Sequence, residues 1–411
     1  MRLSESALDS TVFIATSRSI ATLAELDTDP FDLRNAVPPG AAVKLSTADP
    51  LLVAAAIRAL DGVAAEVILC PPSEWNNPEV SIPIGASRCS PSTITLIRPP
   101  ADKWADTRWV LLTSGTSGTP RKVAHTMSSL MPKTQTGLWA PHRTWGLLFD
   151  PTRMAGMQVL LHAIRARSSV VAPEASATLS DKVAVLATKG VNALSATPTL
   201  WRRILQLPTI TDWPLEQVTL GGEIADQSTL DALRRRFPTA RISHVFAATE
   251  SGTVFSVSDG REGFPLRQLE GSAGRPKAEV RNSVLYVYNP GSSAAEEDGF
   301  VCTGDVVEIQ GNRVFFRGRN TSVVNIGGQN IWPEVVEDIL RSHPAVNEAR
   351  VSAVASSMAG NLLVADVTTN TAIQPRELRA WVRNRTSSAH VPARVRIVED
   401  LRTGPTGKII R

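Results

Sequence analysis

The chain has 411 residues, of which 43% are hydrophobic and 20% charged, the composition of a globular protein that can bury a large core. This length suggests two to four domains, and two is the working prediction. Lys and Arg total 43 and Asp and Glu total 39, so the net charge is +4. The most basic segment, Arg234-Arg235-Arg236, ends an amphipathic pattern and is interpreted as a solvated helix end. A nucleic-acid partner is therefore not expected.

The cysteine content and the apolar runs bear on the cellular compartment. Cys70, Cys89 and Cys302 are too few and too scattered for a disulfide framework or a zinc site, which favours a reducing compartment. No apolar run approaches the roughly 18 residues of a membrane span. The N-terminal residues lack the apolar block of a signal peptide. We expect a cytoplasmic protein without a membrane span.

Strand and helix patterns alternate from Ala42 onwards, whereas the first 40 residues carry little pattern. The strands predicted in the first part of the chain are residues 42–46, 65–69, 109–112, 170–172, 192–195 and 217–220. The predicted helices there are residues 50–60, 181–189, 199–206 and 227–237, the last with Asp226 as its cap. The segment 71–100 is rich in Pro, Ser and Asn and is predicted to be loop-rich. Such alternation is typical of an α/β fold.

The pattern changes after Gly271. Residues 283–288 and 312–317 are predicted hairpin strands, and residues 333–341 are a predicted helix that begins with Pro. A further β-α-β pattern follows and ends in the Gly-rich tail TGPTGKIIR. We place a domain boundary between Arg319 and Gly328, where the strand pair ends and a new unit begins.

The strongest local signal is a loop of hydroxyl residues and glycines after the strand at 109–112, in the sequence Thr113 to Lys122. Glycines let the backbone approach an anion closely, and hydroxyl and N–H groups donate to phosphate oxygens. Arg121 and Lys122 add positive charge. The loop does not match the Walker pattern, since Val123 follows Lys122. A flexible surface turn is an equally weighted interpretation of this segment taken alone.

Four weaker signals follow along the chain. Glu250 ends an apolar segment after Thr249, where a carboxylate could hold Mg²⁺, although most such Glu residues are only solvated. Gly221-Gly222-Glu223 is a tight turn after a strand. Asp305 ends Thr303-Gly304-Asp305, and its two oxygens suit a ribose diol. Lys408 stands near the end of the chain, where a frayed basic terminus is the default.

Taken together, these signals resemble the ANL superfamily of adenylate-forming enzymes, which includes acyl- and aryl-CoA synthetases, peptide-synthetase adenylation domains and luciferases. The matching segments are Thr113–Lys122 for the phosphate loop TSGTTGxPKG, Phe246-Ala247-Ala248-Thr249-Glu250 for YGxTE, Thr303-Gly304-Asp305 for TGD, Gly318-Arg319-Asn320-Thr321 for the GRxD hinge, Gly327-Gly328 with Pro333-Glu334-Val335-Val336-Glu337 for the following loop, and Lys408 for the terminal lysine. The resemblance covers residue 109 to the end, and less clearly residues 42–69. The short region before the phosphate loop is similar to that of short bacterial members such as o-succinylbenzoate–CoA ligases.

The resemblance implies the fold and the domains. The expected fold is mixed α/β, with layered α/β subdomains, a β-barrel-like part and a small mobile α+β domain. The adenylation domain would span residues 1–318, the hinge residues 319–321, and the C-terminal domain residues 322–411. The hinge and the thiol side of the C-terminal domain would use Thr321, Gly327 and Gly328.

The resemblance also implies the nucleotide site and the catalytic groups. The expected ATP- and AMP-binding residues are Thr113, Ser114, Gly115, Thr116, Ser117, Gly118, Arg121, Lys122, Gly221, Gly222, Glu223, Phe246, Ala247, Ala248, Thr249, Asp305 and Arg319. The expected catalytic residues are Lys408, Thr249 and Glu250, of which Glu250 would hold Mg²⁺. Phe246 replaces the adenine-stacking Tyr of the family, and Thr321 replaces its hinge Asp.

The expected acyl pocket is formed by Arg153, Met154, Gly156, Leu220, His244, Phe246 and Gly252. Arg153 would pair with a second carboxylate of the substrate, although a salt bridge to Asp150 or a surface charge is the favoured alternative. His244 is equally well explained as a structural histidine. These alternatives stay open at the level of sequence.

The function implied is activation of a carboxylic acid by ATP, followed by transfer to a thiol. The leading prediction is an acyl- or aryl-CoA ligase with ATP and Mg²⁺ as cofactors and coenzyme A as the acceptor. The alternative is an enzyme that loads the phosphopantetheine of an acyl-carrier protein, which would then be a protein partner. A non-catalytic homologue is disfavoured because Lys408, Glu250 and Asp305 are all present. A monomer or a homodimer is expected.

Overall fold

The computed structural model describes residues 12–16, 20–72, 81–83, 92–98, 106–113, 121–131, 143–210, 213–248, 252–270, 278–289, 295–356, 360–402 and 408–409. The chain folds into two compact units. The first comprises Met1–Ser195 and Thr209–Thr219, and the second comprises Ala196–Pro208 and Leu220–Arg411. The mixed α/β class predicted from the alternating sequence pattern is confirmed. Among the described residues, no helix is both long and apolar enough to cross a bilayer.

The first unit alternates strands with helices. Its elements are β1 (Val12–Thr16), β2 (Ile20–Thr22), α1 (Leu23–Asp27), α2 (Leu33–Ala36), β3 (Ala42–Ser46), α3 (Pro50–Leu60), β4 (Glu66–Cys70), β5 (Ser81–Pro83), β6 (Thr93–Arg98), β7 (Arg108–Thr113), β8 (Arg121–His125), α4 (Met127–Leu130), β9 (Thr144–Gly146), α5 (Met154–Ala166), β10 (Ser169–Ala172), α6 (Leu179–Thr188) and β11 (Ala193–Ala196).

Two sheets organise the first unit. One has the strand order β5-β6-β3-β4-β7-β8, in which β3, β4 and β7 run parallel. In the other, β11, β9, β10 and β1 are parallel neighbours and β2 is antiparallel to β1. Helix α3 links the parallel strands β3 and β4; it begins after Asp49, whose carboxylate accepts from the Leu51 N–H, and Pro50 occupies its first turn. Leu52 of this helix and Trp109 of β7 are fully buried in the same hydrophobic core.

The second unit begins with a helix and contains the remaining elements. After α7 (Pro198–Leu205), strand β12 (Gln217–Gly221) crosses the boundary of the units, and then follow α8 (Gln227–Arg236), β13 (Arg241–Ala248), β14 (Gly252–Val257), β15 (Phe264–Pro265), β16 (Ala278–Arg281), β17 (Val284–Tyr288), β18 (Phe300–Gln310), β19 (Arg313–Arg319), β20 (Val324–Ile326), β21 (Gln329–Ile331), α9 (Pro333–Arg341), β22 (Val346–Ser356), β23 (Gly360–Thr369), α10 (Pro375–Arg383) and β24 (Arg394–Ile397).

The strands of the second unit form separate antiparallel and mixed sheets. Strands β13 and β14 pair as a hairpin, and β15-β19-β18-β17-β16 is a five-stranded antiparallel sheet with Phe264 and Leu285 in its core. Strands β20 and β21 form a short hairpin. The last sheet has the order β22-β23-β24. Val336 of α9 and Leu378 of α10 belong to its buried core.

Several elements were not predicted from the sequence. The first 40 residues contain β1, β2, α1 and α2, and the segment 71–100, predicted to be loop-rich, contains β5 and β6. Both misses have the same cause. Strand β1 is specified by pairing with β10, more than 150 residues later in the chain, and β6 by pairing with β3. Strand β5 lies at a sheet edge, a position in which proline is tolerated. The predicted hinge at residues 319–321 lies inside the second unit and stays a prediction.

Candidate functional site

The terminal lysine lies beside the glycine turn that follows β12. A Cβ atom on Gly222 would be 3.6 Å from Lys408 Cε and 3.7 Å from its Nζ. Gly222 also has φ +80°, a left-handed conformation that glycine adopts without strain. The turn Gly221–Glu223 and Lys408, predicted as separate parts of one site, are therefore brought together.

Glu223 is the acidic neighbour of this lysine, and helix α7 holds it in place. The N–H of Thr199, in the first turn of α7, donates to Glu223 Oε2 at 3.0 Å. The helix begins after Thr197, whose hydroxyl accepts from the Leu200 N–H, and Pro198 occupies its first position. A carboxylate at a helix N-terminus is stabilised by the exposed N–H groups there. Thr197 and Thr199 were not predicted as supports of the site, although the Thr-Pro pair signals a helix start.

Asp305 and Arg319 also meet. Strands β18 and β19 place the two residues opposite each other, and Arg319 Nε lies 2.9 Å from Asp305 Oδ1. Arg319 Nη1 donates to the Thr303 carbonyl at 2.7 Å, and the Thr303 hydroxyl accepts from the Asp305 N–H at 3.1 Å. The Thr-Gly-Asp and Gly-Arg motifs therefore form one hydrogen-bonded corner.

The charges at this corner perturb one another. Asp305 is only 7% exposed, and burial raises its pKa, while the cations Arg319 and Lys408 act in the opposite direction. Lys408 retains solvent exposure as a residue, but partial desolvation of its ammonium group lowers its pKa. The negative charge of Glu223 acts in the opposite direction. Titratable groups with perturbed pKa values and opposite charges, gathered beside a glycine turn, are typical of a functional site.

Phe246 lies in an aromatic cluster. Its ring stacks on Phe255 and on Phe316, with both pairs of ring centroids 5.2 Å apart. Phe255 is its cross-strand partner in the β13–β14 hairpin, and Ala247 and Ala248 continue β13 beyond it. These contacts fix the orientation of the ring through packing. The predicted stacking of Phe246 on adenine stays a prediction.

The predicted phosphate loop lies between two neighbouring strands. Thr113 ends β7 and pairs in register with Arg121, the first residue of β8, so the two ends of the loop are adjacent. Lys122 pairs with Leu112 in the same ladder. The predicted phosphate-binding residues Ser114, Gly115, Thr116, Ser117 and Gly118 lie outside the described residues, as do the predicted catalytic residues Thr249 and Glu250.

No group of three or more His, Cys, Asp and Glu residues in the described ranges could hold a metal ion. Glu250, the predicted Mg²⁺ ligand, is not among those residues.

Two residues of the predicted acyl pocket make local contacts in the first unit. Arg153 Nη1 donates to the Leu112 carbonyl at 2.6 Å, and Asp150 accepts from the N–H and the hydroxyl of Thr152. Gly156 packs so tightly that a Cβ atom there would lie 2.1 Å from the Asp150 carbonyl oxygen. Packing therefore explains Gly156 without a substrate.

The other predicted pocket residues also have positions that the fold itself explains. His244 Nε2 donates to the Gly263 carbonyl at 2.9 Å, and burial lowers its pKa, which favours the structural interpretation. Leu220 of β12 is buried, and Met154 of α5 packs against the hydrophobic core of the first unit. Gly252 begins β14. A role in acid binding stays a prediction for all of these residues.

The predicted hinge and loop glycines lie on short elements. Thr321 is in a single 3-10 turn, where the Ser322 hydroxyl accepts from the Arg319 N–H and donates to Glu334. Gly327 and Gly328 form the turn of the β20–β21 hairpin with φ +57° and +84°. Asn325 Oδ1 accepts from the Gly328 N–H at 3.2 Å. This turn requires residues that accept positive φ at both positions.

A buried group of charges next to this site escaped the sequence analysis. Arg202 of α7 and Asp226, the cap of α8, form ion pairs with Glu348 and Arg341, which lie more than 100 residues later. No local pattern signals such pairing, because the partners become neighbours only in the folded chain.

Comparison with known proteins establishes the class. The chain matches the AMP-binding enzyme family over residues 40–305 and the AMP-binding enzyme C-terminal domain over residues 335–408. It therefore belongs to the AMP-binding enzyme family. The identification of an AMP-forming ligase of the acyl-CoA synthetase type is thereby confirmed, together with the prediction of an adenine-nucleotide site.

Individual relatives agree with this assignment. The chain is 26% identical over 333 residues to 2-succinylbenzoate–CoA ligase of Bacillus velezensis, covering 74% of this chain and 68% of that protein. It is 24% identical over 341 residues to the fatty acid–acyl-carrier-protein ligase ScoC of Streptomyces coeruleorubidus, covering 73% and 65%. The fold resembles that of ATP-bound MatB from Rhodopseudomonas palustris, with a TM-score of 0.76, 19% identity and coverage of 98% and 95%.

Proposed function

We propose that this enzyme joins a small carboxylic acid to a thiol in two half-reactions, with coenzyme A as the acceptor. The observation that carries the proposal is the position of Lys408 beside Gly222, in the electrostatic field of Glu223, Asp305 and Arg319. A frayed basic terminus would not place an ammonium among these groups. The site offers a cation, a glycine turn and a buried carboxylate, which suit an adenylate.

In the first half-reaction a carboxylate oxygen of the acid attacks the α-phosphorus of ATP. A new P–O bond forms, the bond to pyrophosphate breaks, and the acyl-adenylate remains. Two anions must approach each other in this step, so a fixed cation stabilises the transition state more than the separated reactants. Lys408 supplies that cation. Its lowered pKa does not remove the charge, because the incoming anions favour the protonated form.

Other residues hold the nucleotide. Asp305 accepts hydrogen bonds from the two ribose hydroxyl groups, and the ion pair with Arg319 orients the buried carboxylate and opposes the effect of burial on its pKa. The hydroxyl- and glycine-rich loop between β7 and β8 binds the β- and γ-phosphates, Thr249 the α-phosphate, and Phe246 flanks adenine. Glu250 would hold Mg²⁺, which would neutralise phosphate charge when bound.

In the second half-reaction the sulfur of the thiol attacks the acyl carbon. A thioester forms, AMP leaves, and the thiol proton goes to the leaving phosphate or to solvent. The family's C-terminal domain rotates between the two steps, which would carry Lys408 away and bring the Gly327–Gly328 turn to the thiol. The residues proposed as the hinge are 319–321, between the two family matches.

A carrier protein is the second candidate for the acceptor. One of the relatives, ScoC, is named as a ligase of fatty acid and acyl-carrier protein, at 24% identity. This reading makes a different prediction, since a carrier-bound phosphopantetheine would then outcompete free coenzyme A.

The acid itself should lack an α-amino group. An α-ammonium group bound in the acid pocket would need a carboxylate partner, which we expect in the segment before the YGxTE-like residues 246–250. The corresponding residues 241–245 of β13 are Arg, Ile, Ser, His and Val and contain no carboxylate. Among them, His244 is engaged with the Gly263 carbonyl. An ammonium group would find no partner on this strand.

A pyrophosphate-exchange screen tests the proposed function. The protein is incubated with ATP, Mg²⁺, labelled pyrophosphate and a panel of aliphatic, aromatic and amino acids. We expect exchange with aryl or aliphatic acids and little with amino acids. Coenzyme A and a phosphopantetheinylated carrier are then compared as acceptors. The proposal is wrong if ATP binds and no acid supports exchange.

A further inference from the structure

The second unit contains a closed ring of four buried charges. Arg202 Nε lies 2.7 Å from Glu348 Oε2, and Arg202 Nη1 lies 3.1 Å from Asp226 Oδ2. Arg341 completes the ring, with Nη1 3.3 Å from Glu348 Oε1 and Nε 3.8 Å from Asp226 Oδ2. The four side chains are between 4% and 11% exposed. Guanidinium and carboxylate groups therefore alternate around the buried ion-pair ring.

The ring joins two parts of the chain, each of which matches a different family model. Arg202 and Asp226 fall within residues 40–305, whereas Arg341 and Glu348 fall within residues 335–408. Every guanidinium in the ring contacts a carboxylate of the other part. The ring can consequently exist in only one orientation of the C-terminal residues.

The ring is linked to the surroundings of Lys408 through helix α7. Arg202 Nη2 donates to the Thr199 hydroxyl at 3.0 Å, and the Thr199 N–H donates to Glu223. Glu223 in turn is the acidic neighbour of Lys408. Helix α7 thus carries both Arg202 of the ring and Thr199, which supports the turn beside the lysine.

The two guanidinium groups of the ring hold the buried carboxylate of Asp226 ionised. Burial alone would raise the pKa of Asp226, but Arg202 and Arg341 lower it to about 2. Two further carboxylates approach Arg341: Glu337, which also accepts from the Val351 N–H, and Asp338, which pairs with the guanidinium. A buried charge that loses one partner is strongly destabilised, whereas both partners are hydrated when the whole ring opens to water. The ring therefore favours one orientation over partly displaced ones.

We propose that the buried ion-pair ring is a latch that holds the C-terminal domain in the orientation for adenylation, which makes Arg202, Asp226, Arg341 and Glu348 positioning residues for Lys408. This inference rests on the proposed function. The latch must open before the thiol step, when the lysine leaves the site. The four residues act through the lysine and do not contact the reacting atoms.

The test measures the two half-reactions separately in Glu348→Gln, with the acid that gives the fastest exchange in the screen. Adenylation is followed as pyrophosphate exchange. Thioester formation is followed from chemically synthesised acyl-adenylate and coenzyme A, or a carrier protein if coenzyme A is not accepted. We expect exchange to fall about tenfold and thioester formation to stay within about twofold of wild type, because the weakened latch affects only the orientation for adenylation.

The matched control is Arg350→Gln, on the same strand β22. Arg350 pairs with Asp366 of β23 at 2.6 Å, so this ion pair lies wholly within the C-terminal sheet. We expect both half-reactions of the control to match wild type. Should Glu348→Gln not fold, Arg202→Met with Glu348→Met replaces the ion pair by apolar side chains, a change that buried pairs often tolerate. The same split between the half-reactions is expected for that double variant.

Three results would count against the latch. Equal losses in both half-reactions would mean that the ring only supports the fold, and unchanged exchange in both Glu348→Gln and the double variant would mean that it does not position the lysine. A loss of exchange in Arg350→Gln as large as that in Glu348→Gln would also overturn it. Absence of exchange in the wild-type protein itself would instead overturn the proposed function, and this inference with it.

Discussion

Lys408 is the single residue on which the proposed chemistry depends most. It lies three residues from the end of the chain, yet the fold places its ammonium against Gly222 and within the field of Glu223 and Asp305. Gly222 forms the turn beside it with φ +80°, a conformation that glycine adopts without strain. A charged group at a chain terminus acquires a defined place here through long-range contacts.

Replacing this lysine should separate the two half-reactions. We expect Lys408→Ala to slow adenylation roughly a hundredfold or more, because the cation acts only while two anions meet. Thioester formation from supplied acyl-adenylate involves no such meeting and should be nearly unchanged. Single-turnover rates of both steps provide the measurement.

The exposed Lys189, at the end of α6, provides the control for Lys408. Lys189→Ala should leave both rates unchanged. Equal losses of both rates in Lys408→Ala would indicate damage to the fold. No loss of either rate would mean that Lys408 has no catalytic role and belongs to a frayed basic terminus.

At the scale of elements, α5 shows how a helix start is fitted to the turn before it. Gly156 lies in the first turn of α5, where a Cβ atom would be 2.1 Å from the Asp150 carbonyl oxygen and 2.8 Å from Pro151 Cα. Both clashes are with backbone atoms, which cannot move aside as a flexible side chain can.

Helix propensity and packing predict opposite effects of Gly156→Ala. Propensity alone predicts a gain of about 1 kcal/mol, since Ala is the better helix former. We expect the clash to dominate and the free energy of unfolding to fall by about 1–3 kcal/mol. Urea unfolding measures the difference. As a control, Ala155→Gly at the exposed neighbouring position should cost only about 1 kcal/mol. An increase in stability of Gly156→Ala would contradict the packing described here.

At the scale of the whole molecule, stability should depend on pH through His162. Burial, together with the charge of Arg165, lowers the pKa of His162 to about 4. The unfolded chain binds a proton near pH 6.5, whereas the folded chain does not until about pH 4. Stability is therefore lost as pH falls from 6.5 to 4, by at most about 3 kcal/mol for this residue.

The variant His162→Gln tests that dependence. We expect the difference in free energy of unfolding between pH 7 and pH 4.5 to become smaller than in wild type, because the ionisable group is gone. Asp226 contributes little in this window because its pKa is lowered to about 2. Asp338, whose pKa burial raises to about 7, acts in the opposite direction and is unchanged by the variant, so the comparison with wild type isolates His162. An unchanged pH dependence would rule out His162 as its source.

Local chemistry was enough to predict several elements at the level of single residues. Pro333–Arg341 was predicted as a helix with the bounds that the structure has, because Pro begins it. Asp226 was predicted as the cap of α8, and its carboxylate accepts from the Thr229 N–H at 2.8 Å. Strands whose partners are distant in sequence, such as β1, were missed because their stability comes from pairing and not from local pattern.

The sequence by itself determined the family, the mixed α/β class and the residue types of the candidate site, since these follow from motifs and local patterns. The tertiary structure alone decided which of them meet. Asp305 faces Arg319 only through the register of β18 and β19, and Arg202 meets Glu348 across 146 residues of chain. Such contacts depend on the sum of weak interactions over the whole fold, because no local sequence pattern encodes the distance between residues far apart along the chain.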